Sequence, residues 1–176
     1  MKLNLGSGIS GFAALNIITT DHMGWKNIDI CPYYDTQNGT FECYDISEGI
    51  RETDNSIEEI WMGDFFEHLL RLKAIFVLQE CYRVLRPNGR LRIVVPDMEK
   101  AMLLWLASEG EEQYQYSRLI WGDQDEANQK NSLPSCHLYG YTEKSLKKLL
   151  NEVGFTKTNR TAIHNVWFEL AMDIYK

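Results

Sequence analysis

Cysteine is scarce in this chain: Cys31, Cys43, Cys81 and Cys136 are the only four in 176 residues, far apart and with no C-x-x-C pair. They read as reduced thiols, mostly buried, and no metal ligands are assigned from the sequence. Long hydrophobic runs are also missing. The best, Ala74 to Leu78, is far too short to span a bilayer. Before Gly6 there is no apolar stretch of signal-peptide length, so the expectation is a cytoplasmic protein with no membrane partner. An excess of basic charge is absent as well: 18 Lys and Arg stand against 25 Asp and Glu, a net charge of −7. That balance argues against bulk nucleic acid as a partner, because binding the phosphate backbone needs a basic face. No internal repeat or low-complexity segment interrupts the chain.

What is present is an ordinary globular composition, 44% hydrophobic and 24% charged. One domain spanning residues 1–176 is expected, since a chain of this length buries roughly 70% of its unfolded surface without staples. Strands are predicted at Lys2–Leu5, Lys26–Ile30, Thr40–Tyr44, Ser56–Met62 and Arg90–Val95. Leu70, Ala74, Val77, Leu78, Cys81, Val84 and Leu85 recur at helical spacing, and Pro87-Asn88-Gly89 should stop that helix. Asp97 can cap a helix whose stripe is Met98, Ala101, Met102 and Trp105. Another helix is placed around Tyr114–Trp121, inside a polar and aromatic stretch from Gly110 to Tyr141. Thr142 caps a clean helix with Leu146, Leu149, Leu150 and Val153 inward, closed by Gly154. From Val166 to Tyr175 apolar residues alternate strictly, which suits an antiparallel strand with Phe155–Thr161 as its partner.

Parallel-type strands first and an antiparallel pair last describe an α/β sheet, with its ligand at the carboxyl ends of the strands. Gly6-x-Gly8-x-x-Gly11 follows the first strand, and Asp29, Asp45, Asp64 and Asp97 follow later ones, so all should converge on that edge. Closely spaced glycines let backbone N–H groups approach a ligand, and an acid ending the second strand can hold two ribose hydroxyls. A plain strand-end turn with a solvated acid is the simpler alternative for the same residues.

Taken whole, the chain resembles the class I S-adenosylmethionine-dependent methyltransferases, especially their small bacterial and phage members. The resemblance rests on Leu3-Asn4-Leu5-Gly6-Ser7-Gly8, Gly24-Trp25-Lys26-Asn27-Ile28-Asp29-Ile30 and Asp54-Asn55-Ser56-Ile57-Glu58-Glu59-Ile60. It continues through Phe66-Glu67-His68-Leu69, Arg83 to Ile93, Pro96-Asp97 and Val153-Gly154-Phe155. It implies a Rossmann-like, mostly parallel sheet with a C-terminal antiparallel pair, and S-adenosyl-L-methionine as cofactor with S-adenosyl-L-homocysteine as product. The cofactor-binding set it implies is Asn4, Gly6, Ser7, Gly8, Asp29, Ile30, Asp45, Ile46 and Gly63. Gly6 and Gly8 would face the methionine part, Asp29 the ribose diol, and Asp45 with Ile46 the adenine. Gly63 to His68 would face the sulfonium and the substrate. Asn4 stands where many such enzymes carry an acid, and Phe12–His22 is longer than in the small members.

A hydroxyl or protonated-amine acceptor needs a base. His137 and His68 are the catalytic candidates, with Asp64, Glu67 and Asp97 behind them, while His22 and His164 read as surface residues. His68 could equally be a helix cap or packing residue. His137 lies in the 110–141 insertion, expected to cover the cofactor edge as a lid. The insertion's Tyr114, Tyr116, Trp121, Tyr139 and Tyr141 would either line that edge or form a small satellite core. The acceptor expected is a small molecule or a glycan. The connections at Cys31–Gly39 and Ile46–Asn55 are too short for ordinary crossover helices, leaving helices reduced on one sheet face. A homodimer, or the segment Phe12–Ile18, is expected to cover that face. Two other functions share this pattern: an NAD-type Rossmann oxidoreductase, and a catalytically silent cofactor-binding or assembly protein. The Arg-Pro-Asn-Gly turn, the final hairpin and the lack of a Tyr-x-x-x-Lys pair speak against the oxidoreductase.

Overall fold

The computed structural model describes residues 1–7, 24–30, 40–125, 136–162 and 168–176. Gly8, Gly11, the Phe12–Ile18 cover, His22, the Cys31–Gly39 connection and His164 lie outside them. Seven strands form one sheet: β1 (Lys2–Leu5), β2 (Trp25–Asp29), β3 (Thr40–Cys43), β4 (Ile57–Gly63), β5 (Leu85–Pro96), β6 (Lys157–Thr161) and β7 (Glu169–Tyr175). Their order is β3-β2-β1-β4-β5-β7-β6. Strands β1 to β5 pair in parallel, whereas β7 runs antiparallel between β5 and β6. This is the expected Rossmann-like sheet with its antiparallel end. The strand order reverses at β1, between β2 and β4, and a crevice opens at such a point in doubly wound sheets.

Helix α1 (Arg71–Val84) and helix α4 (Glu143–Val153) cover one face; α2 (Met98–Ala107) and α3 (Gly110–Trp121) pack on each other. The main core joins Ala74, Val77, Leu78, Cys81 and Val84 of α1 with Leu3, Leu5, Ile28, Ile60 and Met62 of the strands. Leu146, Leu149 and Leu150 of α4 enter the same core, and Tyr82 meets Phe155 edge-on with ring centroids 5.0 Å apart. Thr142 and Ser145 form a reciprocal capping box at the start of α4, and Gly154 ends it in the left-handed region at φ +114°.

Three expectations are corrected here. Leu70 is not on the buried stripe of α1 but precedes the helix, 61% exposed. Met102 is half-exposed, so only Met98, Ala101 and, in part, Trp105 anchor α2. Pro87-Asn88-Gly89 does not stop α1. The helix ends at Val84, and β5 starts at the next residue, with the turn forming a kink inside the strand. Asn88 takes φ +61° there, and its N–H donates to the carbonyl of Lys176 at 3.0 Å. A Cβ at Gly89 would lie 2.8 Å from the Arg86 carbonyl, so the close approach requires glycine.

The opposite sheet face carries a small apolar patch of Trp25, Trp61, Val94 and Ala171, each under 10% exposed. An ionic lattice frames it. Arg92 grips Asp173 through two bonds of 2.6 and 2.7 Å, Lys2 pairs with Glu59 at 3.5 Å, and Arg90 also reaches Glu59. Between β3 and β4 the described chain makes only a short 3-10 turn, Ile46–Glu48, in place of a crossover helix. Cys43, Cys81 and Cys136 are free thiols, and no described helix is long and apolar enough to cross a membrane.

Candidate active site

Two clefts of about 610 Å³ each meet at the carboxyl ends of β1, β2 and β4. Gly6, Ile28, Asp29, Ile30, Tyr44, Asp45, Ile46, Phe65 and Leu138 are among the residues lining the first. Gly6 turns the chain out of β1 at φ +68°, and a Cβ there would fall 2.0 Å from the Phe65 ring. Glycine is therefore required both for the turn and for the space. The Gly6 N–H donates to the Ile28 carbonyl at 2.9 Å, which fixes the turn beside the tip of β2 where Asp29 stands. Asp45 is oriented by the Ser47 N–H, 2.8 Å from one carboxylate oxygen, as the cap of the 3-10 turn. Gly6, Asp29, Ile30, Asp45 and Ile46 thus share one cleft.

Asn4, Ser7 and Gly63 are not among its described lining residues. Asn4 is 4% exposed and donates to the Asn27 side chain at 2.9 Å across β1 and β2. Ser7 is buried, and Gly63 is the last residue of β4. Asp97 follows β5 on the same edge but is not among the described lining residues of either cleft. Its carboxylate caps α2 and receives a 2.7 Å bond from Arg160, a structural role.

The second cleft is lined by Glu67, Pro96, Tyr116, Arg118, His137 and Glu169, and shares Asp64 and His68 with the first. Asp64 follows β4 directly at φ +48°, a conformation that costs a non-glycine residue energy. His68 sits in a 3-10 turn (Phe66–His68) and caps no helix, since Leu70 holds that position for α1. The main-chain carbonyl of Glu67 accepts from the amides of Leu138 and Tyr139 at 2.8 and 3.1 Å. Those bonds draw the end of the 110–141 segment onto the sheet edge and set His137 against His68, ring centroids 5.0 Å apart.

Nδ1 of His68 lies 2.8 Å from the Cys136 carbonyl, and Nδ1 of His137 lies 3.1 Å from that of Leu119, with the Ile120 main chain also beside the His137 ring. A carbonyl only accepts, so both Nδ1 atoms carry the proton and both Nε2 atoms present lone pairs. Burial lowers the pKa of His68; burial and the neighbouring His68 push that of His137 down to about 4. Both rings are neutral at pH 7. The carboxyls shift the other way. Burial raises Asp64, and burial with the Asp64 charge carries Glu67 well above the usual carboxylate range. The same two causes raise Glu169 to about 7.

Glu169 escaped sequence reasoning because it alternates with core residues on β7 and reads as an outward strand position. Of the aromatics, Tyr116 lines the second cleft, while Tyr141 is buried against Phe66 and Trp121 meets Trp105 edge-on at 5.7 Å. Tyr141 joins the main core and Trp121 stays 43% exposed, so neither of these two builds a satellite core.

No protein-family model matches the chain, and no curated protein matches its sequence. Solved structures do. A methyltransferase from Archaeoglobus fulgidus, described as S-adenosylmethionine-dependent, superposes with a TM-score of 0.67 at 13% identity, over 99% of this chain and 85% of its own. An S-adenosylmethionine-dependent methyltransferase from Mesorhizobium loti gives 0.65 at 11% identity, over 100% and 90%. The 1,6-didemethyltoxoflavin-N1-methyltransferase of Burkholderia thailandensis, solved with its substrate and S-adenosylhomocysteine, gives 0.62 at 16%, over 99% and 70%. With the β3-β2-β1-β4-β5-β7-β6 order, these likenesses establish that the chain has the fold of the class I S-adenosylmethionine-dependent methyltransferases.

Proposed function

We propose that this protein transfers a methyl group from S-adenosylmethionine to a small-molecule or glycan acceptor. The observation that carries the reading is the first cleft, where Gly6, Asp29 and Asp45 surround one space at the sheet's switch point. Its residues fit the cofactor: a tight glycine turn where β1 ends, an acid at the tip of β2 for a ribose diol, and Asp45 with Ile46 for adenine. When bound, the cofactor supplies an electrophilic methyl on a good leaving group. The chain's own residues then have to position the acceptor and exclude water.

The acceptor belongs in the second cleft, which opens across Asp64 and His68 from the first. His68 and His137 are the bases expected from sequence, and the lone pairs on Nε2 suit them to accept a proton. Glu169, raised to about 7, is better matched to proton transfer near neutral pH than His137 at about 4. A homodimer and a cytoplasmic location complete the reading. A single-chain mass by light scattering at tens of micromolar would remove the dimer.

Calorimetric titration with S-adenosylhomocysteine and with NAD tests the main claim. Heat with the first ligand only is the expected result; no heat with S-adenosylhomocysteine would end the methyltransferase reading.

A further inference from the structure

Glu67 is 2% exposed, and neither of its carboxylate oxygens has a hydrogen-bond partner from any other residue. A buried carboxyl left unpaired is costly, and folded proteins rarely keep one without a use. It faces the cleft that His68 and His137 also line. A donor atom from each of the three lies within 4.8 Å of the others. Two further carboxylates, Asp64 and Glu169, line the same cleft. Arg118, the one cation among its described lining residues, is already paired with Asp123.

We propose that Glu67, His68 and His137 form a binding site for a divalent transition-metal ion of the zinc type. Two imidazoles and a carboxyl group, the last releasing its proton to solvent as the metal binds, are donors such ions take. Each imidazole donates Nδ1–H to a main-chain carbonyl, the arrangement that fixes the tautomer and turns Nε2 toward a metal. Ligand atoms on one zinc ion stand about 3.3 Å apart, given bonds of about 2.0–2.1 Å. Metal binding would draw the three donor atoms, now within 4.8 Å of one another, together to that spacing. Three protein ligands leave a coordination position open, and here it opens into the second cleft. That position suits an oxygen donor of whatever molecule occupies the cleft, such as a hydroxyl or a carboxylate. The site does not depend on methyl transfer, since Glu67 and His137 do not line the Gly6–Asp29 cleft.

The test uses the untagged 176-residue chain after chelator treatment, titrated with Zn²⁺ alone by calorimetry and with Co²⁺ alone by visible absorption. One saturable equivalent, with cobalt d–d bands, is expected. Glu67→Gln and His137→Asn should each weaken Zn²⁺ binding about 100-fold or more, while the variants still melt cooperatively and still bind S-adenosylhomocysteine. Nitrogen-15 spectra of the unaltered protein give a check that needs no variant: on Zn²⁺ addition, Nε2 of two of its four histidines should shift. Absence of saturable binding, binding that survives in both variants, or unshifted imidazole signals would overturn the site. Loss of S-adenosylhomocysteine binding in the unaltered protein would instead strike only the methyltransferase reading.

Discussion

His68 and His137 meet edge to face at 74°, although one ends a short turn after β4 and the other closes the long segment after α3. The contact is set by main chain, not by the rings. The Glu67 carbonyl takes two amides from the residues after His137, and each ring is tied to a separate carbonyl. A pair fixed this way is preorganised before any ligand arrives.

Asp29→Ala should weaken S-adenosylhomocysteine binding about 10- to 100-fold, because hydrogen bonds to a charged group contribute about 1.5–3 kcal/mol. Asp29 ends a strand and lies outside the core, so the circular dichroism spectrum and melting temperature should hold. Unchanged affinity in calorimetry would reject the ribose role.

Gly6→Ala tests the turn itself. Its Cβ would enter the Phe65 ring, and the backbone would keep a positive φ. A loss of about 1–3 kcal/mol in urea unfolding is expected, together with weaker cofactor binding. A variant as stable as the parent would show that the turn relaxes easily.

Asp97→Ala should separate structure from chemistry. Losing the α2 cap and the Arg160 bond should cost about 1–3 kcal/mol of stability, with S-adenosylhomocysteine affinity unchanged. A selective loss of affinity with full stability would return Asp97 to the site.

Acid sensitivity should trace partly to Glu80. The Arg83 guanidinium beside it holds its carboxyl below the usual range, and the same Arg83 bonds the carbonyls of Ile50 and Glu52. A carboxyl depressed in the folded state stabilises fully above the unfolded pKa, here above about pH 5, and less as the pH falls through the folded value. Glu80→Gln should therefore lower stability at pH 7 and flatten its decline in acid. Parallel pH–stability curves for parent and variant would rule this out.

Much of the fold was legible in the residues. Alternation in Glu169–Tyr175 announced an antiparallel strand, and Leu146, Leu149 and Leu150 with Thr142 and Gly154 fixed α4 at both ends. The kink at Pro87-Asn88-Gly89 was not legible as part of a strand, because those residue types mark turns wherever they occur. Only pairing with Lys176, remote in sequence, keeps them in the sheet. The site divides similarly. Gly6 follows β1, Asp29 ends β2 and Asp45 lies just past β3, so local pattern places them on one edge. Glu67 stood behind the histidines in the sequence because nothing local says that its two oxygens end up dry and unpaired.

Asp64 and His68 form a wall common to both clefts, so under the proposed function ligands that touch them from either side should be thermodynamically linked. Whatever ligand settles the rotamers of these two side chains from one side alters the affinity felt on the other, and linkage requires the effect to be equal in both directions. Order of addition and product inhibition in this protein should therefore be governed by two residues that face each way.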